Sequence, residues 1–118
     1  MQTNKLDSRL KIRLAVSEKT LTQFCQKWNI NEFALFGSVL NDRFHAGSDI
    51  DILISFQPNS RQGLLTLARI KQELEELFKR NVDIALKDAI LTSENLIRRQ
   101  EILQTAQIIY EQGSSVAY

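Results

Sequence analysis

The fold class predicted for this chain is α/β (α+β): one small domain in which helices pack on a mixed β-sheet. Three observations predict it. Apolar runs of strand length recur at 33–37, 49–56 and 82–86. Two longer segments, about 18–28 and 62–79, carry apolar residues at helical spacing. The chain has 118 residues, 43% hydrophobic and 25% charged, enough for one core without disulfide staples and short for two domains.

Taken in order, residues 1–8 read as a flexible arm. In 9–16, Leu10, Ile12, Leu14 and Val16 alternate with Arg9, Lys11, Arg13 and Ala15, and this period of two predicts an extended or edge-strand segment. Ser17 suits a helix N-cap, with Glu18 in the favourable first turn. Leu21, Phe24, Cys25 and Trp28 then mark the buried face of a helix that Asn29 can stop. Cys25 and Trp28 read as core residues. Strand 33–37, loop 38–48 and strand 49–56 follow, and Gln57-Pro58-Asn59-Ser60 is a turn. Helix 62–79 presents Leu64, Leu67, Ile70, Leu74, Leu77 and Phe78 to the core, with Glu75/Lys79 and Glu76/Arg80 as i,i+4 ion pairs on its wet face. Val82–Leu86 is a third central strand. Ser93 caps a helix of about 94–104, Ala106–Tyr110 either extends that helix or forms a last strand, the strand being preferred, and 113–118 reads as a frayed tail.

Composition excludes several classes. The net charge of +1 argues against a strong sequence-independent grip on nucleic acid. No apolar run reaches the 18 residues of a membrane span, and the polar start lacks a signal-peptide core. The single cysteine permits no internal disulfide and suits a reducing, cytoplasmic setting.

The chemistry concentrates in Gly37-Ser38, a spacer of ten residues, and Asp49-Ile50-Asp51. On a strand, residues i and i+2 share a face, roughly 6.5–7 Å apart. Asp49 and Asp51 therefore aim at one region from within an apolar run. Two such carboxylates repel and cannot both ionise cheaply. A divalent cation removes that cost, and Mg²⁺ is typically held by one or two carboxylates plus substrate phosphate oxygens. Gly37 lets the backbone approach a ligand, and Ser38 offers a hydroxyl and an N–H suited to phosphate. Alone, Gly-Ser is an ordinary turn and Asp-x-Asp a solvated loop or cap. Together, each joined to an apolar strand, they point to metal-assisted phosphoryl or nucleotidyl transfer. Asp83 interrupts the apolar strand 82–86. It reads either as a partly exposed strand residue or as the third carboxylate that a two-metal site wants, with Asp88 the weaker candidate. His45 reads as a surface residue.

These residues resemble the DNA polymerase β-like nucleotidyltransferase superfamily, and within it the minimal nucleotidyltransferase (MNT) group. The matching text is Leu35-Phe36-Gly37-Ser38-Val39, Ser48-Asp49-Ile50-Asp51-Ile52-Leu53-Ile54 and Val82-Asp83, within a domain of about 9–112. The resemblance implies the polymerase β-like nucleotidyltransferase fold, with Gly37 and Ser38 on the nucleotide phosphates. It implies that Asp49 and Asp51 ligate two Mg²⁺ ions, and that Asp83 completes one ion and activates the acceptor hydroxyl. ATP is the implied substrate. Many family members carry Arg where this chain has Asn41; either Arg43, two residues later, substitutes at the triphosphate, or the loop binds nucleotide more weakly. The chain is short beside relatives with an acceptor-binding domain, so the acceptor must be gripped by another chain or a subunit interface. The resemblance extends to MNT antitoxins that neutralise HEPN-domain toxins, in some pairs by transferring AMP to a toxin tyrosine. Three readings stay open: a protein-modifying antitoxin, an antitoxin acting by binding alone, and a small-molecule (antibiotic) nucleotidyltransferase. A homodimer is left open, since an apolar helix face after residue 93 would suit a dimer or a toxin.

Overall fold

The structure is a computed structural model that describes residues 2–3, 6–58, 60 and 62–112. Its elements run β1 (Gln2–Thr3), α1 (Ser8–Leu14), α2 (Glu18–Lys27), β2 (Ile30–Phe36), a 3-10 turn (Gly37–Leu40), β3 (Ile50–Phe56), α3 (Leu64–Phe78), β4 (Val82–Leu86), α4 (Lys87–Leu91), α5 (Leu96–Thr105) and β5 (Gln107–Glu111). The strands form one mixed sheet in the order β1-β5-β2-β3-β4. β2 runs antiparallel to both β3 and β5, while β4 runs parallel to β3, which α3 makes possible by crossing between them. The mixed sheet packed with helices is the predicted class.

Alternation along the strands divides the core in two. Phe33, Leu35, Ile50, Ile52 and Ile54 face the larger cluster, with Leu10 and Leu14 of α1, Leu21 and Phe24 of α2, and Ile70, Leu74 and Phe78 of α3. Ala34, Phe36 and Leu53 face the other way, where Ile90 of α4 and Ile102 of α5 cover them. That second layer is smaller. Asp51 shares the side of Leu53, so it lies on the thinly covered face.

Several expectations are corrected. Residues 9–16 are not a strand: Ser8–Leu14 is helical, with Asp7 as N-cap, its Oδ1 accepting the Leu10 N–H at 2.9 Å. Leu6, Leu10 and Leu14 recur every fourth residue and are buried, whereas Ile12 is 80% exposed. The same residues satisfy both periods, and the cap and the core decide for the helix. Within the expected arm, Gln2–Thr3 pairs parallel to β5 and Leu6 is buried, so these residues are tied to the domain. The tail 113–118 lies outside the described residues, as does Asn59 of the predicted turn. β4 is an edge strand rather than a central one. In α3, Leu64 is 83% exposed and only Ile70, Leu74 and Phe78 are fully buried. Neither predicted ion pair on α3 forms among the described residues. Glu75 instead accepts the Val82 N–H at 3.1 Å, Arg80 reaches into the 38–48 loop, and Glu73 pairs with Lys27 at 2.9 Å. The cap of α5 is Asn95, two residues beyond Ser93, and the short helix α4 was not anticipated.

Candidate active site

The site forms where β2 ends and β3 and β4 begin. Phe36 of β2 pairs with Asp51 of β3, and Asp51 pairs with Asp83 of β4. The two aspartates are therefore neighbours on adjacent parallel strands, projecting from the thinly covered face. Asp49 stands two residues before Asp51 and is exposed, as is Asp83; Asp51 is half-buried.

Gly37 begins the 3-10 turn with φ +77, in the left-handed region that favours glycine. A Cβ there would lie 2.2 Å from Oδ2 of Asp51. The backbone thus passes against the carboxylate with no room for a side chain. Ser38 follows in the turn, and its carbonyl accepts the Asn41 N–H at 3.0 Å.

Beside this turn opens a cleft of about 620 Å³. Gly37, Asn41, Arg43 and Asp51 line one side, and Arg98, Glu101 and Thr105 of α5 the other. The structure therefore brings Gly37, Asn41, Arg43 and Asp51 together. Asp49 opens instead toward a separate hollow with Ser48, Glu75 and Arg80. Asn41 uses its side chain internally: Oδ1 accepts the Arg43 N–H at 2.8 Å.

The loop carrying these residues is held from two sides. Arg13 of α1 donates to the carbonyls of Val39 at 2.9 Å and Asn41 at 2.6 Å. Arg80 donates to those of His45, Ala46 and Ser48 at 2.9, 3.3 and 3.0 Å. Both guanidinium groups also lie over the Phe44 ring, at 5.0 and 4.2 Å from its centroid. The approach to Asp49 is thereby fixed, and His45 contributes backbone, together with an Nδ1 that accepts the Gly47 N–H.

Electrostatics single out Asp51. Burial raises its pKa above the ordinary carboxylate value, and the charges of Asp83 and Asp49 raise it further, against a lowering by Arg98. A hard divalent cation suits this donor set, since it would cancel the repulsion between the carboxylates. The three side chains do not close on one point, however: no group of three or more His, Cys, Asp or Glu able to hold a metal ion forms among the described residues.

Arg98, with Glu101 and Thr105 beside it on α5, is a cleft residue that sequence reasoning missed. It lies 47 positions after Asp51 on another element, and the Arg98-Arg99 pair on a helix was the only local signal.

The class of protein that this fold and site define is a nucleotidyltransferase. The chain belongs to the nucleotidyltransferase domain family, whose model matches residues 17–109. Over 64 residues it is 36% identical to the Methanocaldococcus jannaschii protein named "Putative protein adenylyltransferase MJ0435", covering 54% of this chain and 67% of that one. Solved structures share the fold. A putative minimal nucleotidyltransferase superposes with a TM-score of 0.62 at 25% identity, covering 87% of this chain and 97% of that one. A toxin–antitoxin complex with AMP-PNP gives 0.63 at 16% identity, covering 83% and 76%. A tri-AMPylated Shewanella oneidensis HEPN toxin in complex with its MNT antitoxin gives 0.54 at 14%, covering 80% and 69%. No helix among the described residues is long and apolar enough to cross a membrane.

Proposed function

We propose that this chain transfers AMP from ATP, with Mg²⁺, to a hydroxyl of a partner protein, and that it serves as the antitoxin of a HEPN-domain toxin. The observation that carries the reading is the alignment of Asp51 with Asp83 on adjacent strands, against the Gly37 turn and at the edge of an open cleft. The family membership and the likeness to antitoxin complexes support it.

Asp51 and Asp83, side by side on adjacent strands, would hold the metal, with Asp49 at the mouth of the neighbouring hollow; when bound, the metal supplies charge neutralisation at the phosphates and a lowered pKa for the attacking hydroxyl. Gly37 and Ser38 present backbone N–H groups and a hydroxyl to phosphate oxygens, and Arg43 lies on the same rim. The acceptor oxygen attacks the α-phosphorus, the bond to the bridging oxygen breaks and pyrophosphate leaves. The hydroxyl proton passes to Asp83, the exposed carboxylate beside Asp51. Exposed Leu96 and Ile97 at the start of α5 offer an apolar surface near the cleft of the kind a protein partner covers. The lone cysteine, Cys25, is buried, which suits a cytoplasmic protein.

The test is transfer of α-labelled AMP to the partner protein, with Asp51→Ala as control. Label on the partner with wild type and none with a folded Asp51→Ala establishes the activity. A second reading, neutralisation by binding alone, is favoured by Asn41, whose side chain stands where many relatives carry Arg and is turned back to accept the Arg43 N–H. Rescue from the toxin by Asp51→Ala would select it.

A further inference from the structure

We propose that Arg98 binds the terminal phosphates of the incoming nucleoside triphosphate, across the cleft from the Gly37-Ser38 turn. The inference rests on the nucleotidyltransferase reading above and adds a residue from an element that carries none of the motif.

The arginines differ in what their side chains hold. Arg9 donates to the Leu40 carbonyl at 3.3 Å, Arg99 to that of Leu91 at 3.2 Å, and Arg13 and Arg80 clamp the loop. These side chains hold the fold. Arg98 differs from its neighbour Arg99: its backbone N–H donates to Asn95 Oδ1 at 3.1 Å, but its guanidinium makes no hydrogen bond or ion pair among the described residues.

Helix geometry explains why this cation, whose charge acts on Asp51, faces the cleft. Ile102 is buried against Ala34, Phe36 and Leu53, which sets the rotation of α5 about its axis. Arg98, Glu101 and Thr105 fall at i−4, i−1 and i+3 from Ile102, on the same side of the helix, and all line the cleft. Arg99 is turned by one position and meets the end of α4 instead.

Charge then identifies the ligand class. The cleft is lined by two carboxylates, Asp51 and Glu101, and by two guanidinium groups, Arg43 and Arg98, one on each side. A guanidinium presents a planar fork of donors that matches a phosphate bidentately. A polyphosphate spanning the cleft would meet the Gly37 backbone and Arg43 on the loop side and Arg98 on the helix side. The nucleoside monophosphate part would then stay with the aspartates, and the departing pyrophosphate with the arginines.

The experiment is calorimetric titration of ATP and of AMP, with Mg²⁺, into the full chain and into its Arg98→Ala, Arg98→Lys and Arg99→Ala variants. Arg98→Ala is expected to weaken ATP on the order of 10-fold, the loss of one charge-assisted hydrogen-bonded contact, and to leave AMP unchanged. Arg98→Lys restores part of the affinity, and Arg99→Ala binds both nucleotides as wild type does. Equal loss for ATP and AMP, or wild-type ATP affinity in Arg98→Ala, overturns the assignment while the nucleotidyltransferase reading stands. A wild-type chain that binds no ATP overturns both. If Arg98→Ala keeps its ATP affinity but loses transfer to the partner, the arginine serves the acceptor and the proposal is wrong.

Discussion

Gly37 and Asp51 share one small volume: a Cβ on the glycine would sit 2.2 Å from Oδ2 and 3.2 Å from Cγ of the aspartate. The turn is therefore built around the carboxylate. Gly37→Ala would impose a left-handed backbone on a residue with a side chain, costing about 1–2 kcal/mol. It would also push Asp51 aside. A displacement near 1 Å at reacting groups costs about 100-fold in rate. Gly37→Ala is expected to remain folded in a thermal melt and to lose transfer by about that factor in a labelled-ATP assay. Wild-type transfer would mean that the backbone at this point does not approach the nucleotide.

Asp51 gives a pH signature. Burial, Asp83 and Asp49 raise its pKa in the fold, so the folded chain keeps a proton that the unfolded chain has already released. Between those two titrations the unfolded state binds fewer protons, and stability falls as pH rises. The effect is present above the ordinary carboxylate range and absent below it. Asp51→Asn should therefore melt higher than wild type at neutral pH in chelator, with the gap closing in acid, while transfer is lost. A variant that melts lower at neutral pH would show that the carboxylate is favourably placed without metal.

The Phe44 clamp predicts a coupled loss. Arg80→Met removes three donations to loop carbonyls and one ring contact. A destabilisation of about 1–3 kcal/mol follows, with about 0.5–1 kcal/mol for Phe44→Leu. Because the Ser48 carbonyl immediately precedes Asp49, transfer should fall in both variants. Urea melts and initial rates measured side by side check this, and unchanged values in Arg80→Met would remove the clamp from the account.

The helical register of α1 makes a sharp contrast. Leu10→Ala empties a fully buried position and should cost about 2–5 kcal/mol. Ile12→Lys alters a side chain that is 80% exposed and should stay within about 0.5 kcal/mol. A strand at 9–16 would place Leu10 and Ile12 on one face and make both changes costly, so equal losses in chemical denaturation would refute the helix.

Much of the site was readable because its parts are local. Gly37-Ser38 and Asp49-Ile50-Asp51 are adjacent to strong apolar runs, but β3 begins only at Ile50, so Asp49 lies before the strand and opens toward a different hollow from Asp51. Asp83 was readable as an acid that breaks a third apolar run. The ion pairs expected on α3 were not realised because Glu75 and Arg80 found backbone partners elsewhere, which no i,i+4 rule can see. The segment 9–16 misled because a leucine at every fourth position also falls at every second one.

By itself the sequence determined the class of fold, the positions of β2, β3, β4, α2 and α3, and the Gly-Ser and Asp-x-Asp elements, since these follow from short-range periodicity and turn chemistry. Only the tertiary structure decided that Asp51 meets Asp83, that β4 lies at the sheet edge, that Arg13 and Arg80 grip one loop at its two ends, and that Arg98 rather than Arg99 faces the cleft. Those relationships depend on strand register and on the rotation of a helix against the sheet. Both are set by burial of apolar side chains far apart in the chain, above all Ile52, Leu53 and Ile102.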